Sequence, residues 1–327
     1  MARRRDVDEV EIESPGLLTT VQAAARQGLR HLGVASGGPA DPWAHALANL
    51  LAGNPVAVAA LEITLAGPSL RFAKATRIAL CGADIEAHAD GIAVPCHRPV
   101  DLPAGARLVL GACRGGARSY LAVAGGFALP EVLTSASTDL RGGFGGCGGR
   151  ALRAGDRLSL GTRAPVRARR VQAAAWWIDP SPLPCAYPAG EPCTIRLLPG
   201  ADAAAGIADA PWRVEARSNR QGLRLQGPAL QVADARERVS EPVAPGTVQL
   251  PPDGQPIVLL ADAQTHGGYP RIGHVPRADL PLLAQLRPGA RLRFVPCTPA
   301  EACRANVQQR QRMHRITLAI AARSPRA

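Results

Sequence analysis

The chain is almost without lysine: Lys74 stands alone against 37 arginines in 327 residues. Lys74 lies in Phe72-Ala73-Lys74-Ala75, away from any glycine loop, which excludes a Walker A phosphate loop. Aromatic residues make up only 3% of the chain. None interleaves with the two arginine clusters, Arg3-Arg4-Arg5 and Arg167-Ala168-Arg169-Arg170. The net charge of +12 therefore comes without base-stacking platforms, and no nucleic acid partner is expected. Arginine scattered singly among abundant Ala, Gly and Pro has the look of coding bias.

Other absences narrow the class further. The eight cysteines form no Cys-x-x-Cys pair, so neither a zinc knuckle nor a redox motif is suggested. No two histidines stand three or four residues apart, and no metal site is expected. Ser36, in Val34-Ala35-Ser36-Gly37-Gly38, fails the spacing of a nucleophile elbow. No apolar run approaches the length of a membrane span, and the charged N-terminus is not followed by an apolar signal segment. These features lead us to expect a cytoplasmic chain with reduced thiols, no membrane and no signal peptide.

What is abundant is turn-forming residues. The 34 glycines and 30 prolines are spread along the chain, which fits many short strands joined by tight turns. One helix stands out at residues 42–52. Asp41 suits its N-cap, Pro42 its first position and Gly53 its C-terminal cap, while Leu47, Leu50 and Leu51 share a face. Strands are expected at 60–64, 70–72, 77–80, 85–89, 107–110 and 118–123, and again from 194 to 198. The domain plan expected is a disordered 1–10, an N-terminal β lobe over 11–163 and a Pro- and Arg-rich linker over 164–192. A C-terminal β lobe over 193–298 and a helical tail over 299–327 follow. Recurring Gly-Pro-x-Leu and Gly-x-Arg-Leu turns suggest two related lobes.

Three segments carry candidate chemistry. In Val248 to Pro270 the apolar run Ile257 to Ala261 reads as a buried strand between turns. Asp262, Gln264, Thr265, His266 and Tyr269 crowd its exit, either as a site or as a solvated turn. His266 is either a hydrogen-bonded structural residue or one that touches substrate. The second segment is Arg141-Gly142-Gly143-Phe144-Gly145-Gly146-Cys147-Gly148-Gly149-Arg150. No helix pattern follows it, so it is no dinucleotide fingerprint. Its backbone N–H groups suit an anion beside Arg141 or Arg150, or it is a plain flexible loop. In the third, Ser218 to Leu225, Arg220 is either a bidentate anion clamp or a surface arginine.

Taken together these segments resemble the group of 5-oxoprolinase C subunits, also described as KipA-like, as the biotin-dependent carboxyltransferase family and as allophanate hydrolase subunit 2. The resemblance rests on Ile12 to Gly16, Gly33 to Gly53 with Asp41-Pro42, Leu61-Glu62-Ile63-Thr64, and Ala122 to Gly126. It continues through Leu140 to Gly146, Ser218, Arg220, Gly222 and Arg224-Leu225, Pro245 to Gln249, Pro252 to Pro256, and Gln264 to Pro270. It implies a mainly β fold of two cyclophilin-like β-barrel lobes with a few short helices. It also implies work beside a KipI-like B subunit and a LamB/YcsF-type A subunit, in an ATP-dependent 5-oxoprolinase that uses ATP with Mg and opens a small lactam. The resemblance allows two other roles. One is a carboxyltransferase component for urea or another small amide. It would need biotin on a separate carrier, because Lys74 is the only lysine and no Met-Lys-Met is present. The other is a KipA-type regulator that sequesters a KipI-like kinase inhibitor.

On this reading Asp262, Gln264, His266 and Tyr269 are the expected catalytic residues, and Asp41, Glu62, Arg141, Gly142, Gly143, Arg220 and Gln255 the expected substrate-binding ones. Carboxamides suit an amide edge, and arginines an anion. Asn219 and Gln221 depart from the usual Ser-Asp-Arg-Met-Gly pattern, and Asp139 replaces the usual aromatic before Leu-Arg-Gly-Gly.

Overall fold

The computed structural model describes residues 8–182, 192–202, 204–232 and 239–323. Backbone contacts divide the chain into two units, one of residues 1–25 and 42–180, the other of 26–41 and 181–327. The chain thus enters the second unit twice. Residues 1–7, part of the stretch expected to be disordered, and residues 183–191, part of the expected linker, lie outside the described residues.

The first unit is an open antiparallel sheet of ten strands. Its backbone is the pairing of Thr76–Ala89 with Arg107–Val123, from Ile78 opposite Val123 to Ala89 opposite Leu108. The sequence reads each of these as two strands, because glycines interrupt the apolar pattern. The structure joins them through register shifts between Gly82 and Ala87. Gly82 has φ +104°, and a Cβ there would lie 2.5 Å from the carbonyl oxygen of Arg118, so the bulge requires glycine. The bent strand Arg107–Val123 serves two neighbours. Its first part pairs with Ser69–Phe72 and its last part with Ala60–Thr64, which in turn pairs with Leu18–Gln22.

Helix α1, Pro42–Ala52, packs on the two long strands and buries Trp43, Ala44, His45, Leu47, Ala48, Asn49 and Leu51. It ends at Gly53, φ +86°, as the sequence suggests. Asn54 fastens that end, donating to Asn49 Oδ1 at 3.0 Å and to the Val123 carbonyl at 2.8 Å. Residues of the expected linker run along this unit: Gln172–Ala173 pairs with Val100–Leu102, and the Ile178 N–H donates to the His97 carbonyl at 3.0 Å.

The second unit closes into a seven-stranded barrel, in the order Cys193–Pro199, Arg271–His274, Thr247–Gln249, Ile257–Leu259, Gly222–Gln226, Trp212–Val214 and Arg291–Pro296. Every junction is antiparallel except the last, where Arg291–Pro296 returns parallel to Cys193–Pro199. Ile195, Trp212, Leu225, Val248, Val258, Leu292 and Phe294 fill it. A barrel this small is packed solid, so its functional groups belong at the rim. Helix α2, Leu280–Gln285, follows the Arg271–His274 strand. Helix α3, Pro299–Arg323, opens with a capping box in which the Thr298 N–H donates to Glu301 Oε2 at 2.8 Å and the Glu301 N–H to Thr298 Oγ1 at 3.3 Å.

The chain is mainly β, with three α-helices among the described residues. One barrel is closed; the other unit holds an open sheet rather than a second closed barrel. The physical reason lies at the sheet edges. Gln172–Ala173 and Arg157–Ser159 end the ten-stranded order without pairing to each other. At 25 residues, α3 is also longer than the short helices the resemblance implies.

Candidate functional site

The strand Ile257–Leu259 delivers the chain to the barrel rim, where the polar exit residues fold back on one another. Arg220 donates to Asp262 through Nε at 2.7 Å and through a terminal nitrogen at 2.8 Å. The same guanidinium donates to the Gly38 carbonyl at 2.6 Å. Backbone bonds reinforce the pair: Asp262 N–H to the Arg220 carbonyl at 2.9 Å, and Gly37 N–H to the Ala261 carbonyl at 3.1 Å. Arg220 is buried, and this ion pair knits residues 37–38 to the barrel. The geometry commits Arg220 and Asp262 first to each other, so their two charges shape the loop.

Arg30 does the same for the next stretch. Its guanidinium donates to the carbonyl of Val243 and, at 3.2 Å, to the carbonyl of Gln264, and it also donates to Ser36 Oγ at 3.2 Å. Burial pushes its pKa below the ordinary arginine value. With its backbone fixed, Gln264 turns its Nε2 onto Gln249 Oε1 at 3.3 Å. Gln249 is buried, and its Nε2 has no hydrogen-bond partner among the described residues. Gly267 lies against it: a Cβ there would come 2.6 Å from that nitrogen. Beside this carboxamide pair, Thr265 Oγ1 and His266 Nδ1 sit 3.0 Å apart. His266 is exposed, in a short strand with Glu241–Pro242, and Tyr269 is exposed two residues beyond that strand. The rim therefore offers carboxamide donors and acceptors, an imidazole and a phenol on a loop with an anchored backbone.

The other expected residues are held elsewhere. Gln255 stands at the entry of the same strand and clasps Gly227, accepting its N–H at 2.8 Å and donating to its carbonyl at 3.2 Å. Asp41 accepts from Gln285 Nε2 at 2.7 Å. Glu62, Arg141, Gly142 and Gly143 belong to the other unit. Glu62 is buried in the sheet, where Tyr120 Oη donates to its Oε2 at 2.7 Å and Arg118 Nε lies 3.6 Å from Oε1. His45 stacks edge-on against Tyr120 and meets the Gln22 carbonyl at 3.1 Å; burial lowers its pKa, against the opposing pull of that carbonyl and of Glu62.

The glycine-rich loop is wound around Asp139. Its Oδ1 accepts the N–H groups of Arg141 at 3.0 Å and Gly142 at 2.7 Å, and its carbonyl accepts those of Gly143 at 2.9 Å and Phe144 at 3.3 Å. The donors expected to face an anion are thus satisfied internally, that of Gly142 by the Asp139 carboxylate and that of Gly143 by the Asp139 carbonyl, which removes the basis for anion binding at Gly142 and Gly143. Arg141 itself is exposed. Arg150, the alternative counter-charge, is bidentate to Asp156 at 2.7 and 2.8 Å. At the third segment, Asn219 Oδ1 accepts the Gln221 N–H at 2.8 Å, a turn that a carbonyl oxygen closes as well as a carboxylate.

Sequence reasoning passed over Arg30, and it used Gln249 only as part of a motif. Their roles depend on partners far away in the chain. The only local hint for Gln249 was a polar residue ending an apolar strand.

The comparisons agree with this architecture. A family model described as carboxyltransferase domain, subdomain A and B, matches residues 32–296. The 5-oxoprolinase C subunit of Escherichia coli is 41% identical, over 92% of this chain and 96% of that protein. Its counterpart in Haemophilus influenzae is 35% identical, over 91% and 93%. Among solved structures, the K. lactis urea amidolyase superposes with a TM-score of 0.83 at 28% identity, covering 95% of this chain but 20% of that one. The chain belongs to the carboxyltransferase-domain family of subdomains A and B, as an end-to-end relative of the 5-oxoprolinase C subunits.

Proposed function

We propose that this chain is the C subunit of an ATP-dependent 5-oxoprolinase-type complex, which opens the lactam of 5-oxoproline to glutamate together with a LamB/YcsF-type A subunit and a KipI-like B subunit. The observation that carries this reading is the 41% identity to a 5-oxoprolinase C subunit across 96% of that protein's length. No helix among the described residues is long and apolar enough to cross a membrane. We place the complex in the cytoplasm, which keeps thiols such as those of Cys81 and Cys193 reduced. We read the closed barrel as the cyclophilin-like lobe that the resemblance implies.

In this proposal the barrel rim of the second unit recognises the lactam. Gln264 presents a carboxamide to the lactam edge, with Gln249 fixing its orientation. His266 keeps Nε2 for moving a proton while Nδ1 meets Thr265. Tyr269 adds an exposed hydroxyl. Arg220, Asp262, Asp41, Glu62 and Gln255 act through the scaffold, since their polar atoms are committed to protein partners. ATP supplies the activation of the lactam in the complex. The first part of the glycine-rich loop does not fit its phosphates, because Asp139 already accepts the N–H groups of Arg141, Gly142, Gly143 and Phe144.

The site assignment is tested by Gln264→Ala and His266→Ala in the reconstituted complex. Each is expected to lower kcat/KM by about a hundredfold or more. Full activity in both variants overturns it. A second reading, a carboxyltransferase acting on urea or another small amide, draws on the 32% identity to the Saccharomyces cerevisiae urea amidolyase, of which this chain spans 16%. It predicts carboxyl transfer only when a separate biotinylated carrier is supplied.

A further inference from the structure

Helix α3 begins just beyond residue 296, where the match to the family model stops, and the barrel closes before it. Its buried side, which includes Ala302, Ala305 and Ile320, explains one face. The opposite face is different. Arg304, Gln308, Gln311 and Arg315, spaced four, three and four apart, form one exposed stripe, flanked by Val307 and Leu318, which is 57% exposed. The helix carries five arginines and one acid, and that acid, Glu301, is engaged in the capping box. At the foot of the stripe lies a cavity of about 330 Å³, lined by Val295, Pro296, Cys297, Ala305, Arg304 and Gln308 together with Arg196 and the capping Glu301. Arg196 is neutralised by Asp279. The cavity and the stripe share Arg304 and Gln308, so they form one surface.

We propose that this surface docks an acidic segment of one of the partner proteins in the complex, which sets an apolar side chain into the cavity and its carboxylates along Arg304 and Arg315. The inference rests on the proposed hetero-oligomer. Charge selects the occupant. A second α3 would bring arginines against arginines. A nucleic acid strand would find no aromatic side chain on this helix to stack on. A membrane would meet two scattered apolar residues where an interfacial helix needs a continuous face. An acidic polypeptide satisfies the arginines and uses both the cavity and the flanking Val307 and Leu318.

The test uses this chain and its A and B subunits. Binding is measured by titration calorimetry at low and high salt for the wild type, for the double variant Arg304→Glu and Arg315→Glu, and for Gln308→Trp, which fills the cavity mouth. All three sites sit on the helix surface, and circular dichroism confirms folding. The expected result is salt-sensitive wild-type binding that weakens about tenfold or more in each variant. Turnover by the wild-type complex with unchanged affinity in both variants overturns the docking surface while the proposed function stands. No wild-type binding to either protein overturns both. Charge-dependent capture by anionic phospholipid vesicles or by single-stranded DNA, lost in the double variant, also overturns the docking proposal.

Discussion

Arg220 and Asp262 face each other in a bidentate ion pair, 2.7 and 2.8 Å long, with the same guanidinium reaching the carbonyl of Gly38. Three stretches far apart in sequence meet in this pair: the turn before one barrel strand, the exit of another and residues 37–38. Removing one partner leaves the other charged and buried. Arg220→Ala or Asp262→Ala is therefore expected to cost about 3–5 kcal/mol in urea unfolding, while Arg220→Met with Asp262→Leu together costs less than the sum. Strictly additive losses for the single and double variants would show that the pair is not coupled.

Asp139 organises the glycine-rich loop by accepting two backbone N–H groups on one carboxylate oxygen. Asp139→Ala orphans both and is expected to destabilise by about 1–3 kcal/mol, whereas Asp139→Asn, which keeps a carbonyl acceptor, loses less. Thermal unfolding of the two variants checks the order. A stable alanine variant with new affinity for inorganic phosphate would reveal the loop as an anion site that Asp139 keeps closed.

How much of this was legible in the sequence follows from distance along the chain. Helix α1 was readable end to end, because Pro42 and Gly53 mark it locally. The strand Ala60–Thr64 was readable from its own apolar residues. The long strands were read as halves, because a glycine that bends a strand and one that ends it look alike until the partner strand is known. At the site, the motif from Gln264 to Pro270 was visible. Its anchoring by Arg30, 234 residues away, was not, and neither was the mutual neutralisation of Arg220 and Asp262. Glycines 142 and 143 suggested an anion cradle because the sequence does not say where the Asp139 side chain turns.

Gly267 allows Gln249 its place. Gly267→Ala would bring a Cβ within 2.6 Å of Gln249 Nε2, the movable end of a side chain. The expected outcome is displacement of Gln249 from Gln264 and a KM for 5-oxoproline raised about tenfold, with folding stability lowered by only about 1 kcal/mol. An unchanged KM would remove the carboxamide pair from substrate recognition.

Three histidines have pKa values lowered by burial: His45, His97 and His274. Each is neutral in the fold, and the unfolded chain takes up protons first as the pH drops below the ordinary value of 6.5. Their stabilising contribution is therefore complete above that pH and declines below it. Unfolding followed between neutral pH and pH about 5 should show stability falling with pH. His45→Gln should give a shallower slope. A slope unchanged by that substitution would show that His45 does not drive the acid loss.

The central claim is that this chain is a required part of a lactam-opening enzyme. The most direct measurement follows glutamate and ADP formed from 5-oxoproline and ATP by the chain with its A and B subunits, and by mixtures lacking each in turn. The account predicts coupled formation of both products in the full mixture and none without this chain. Full turnover by A and B alone would contradict it.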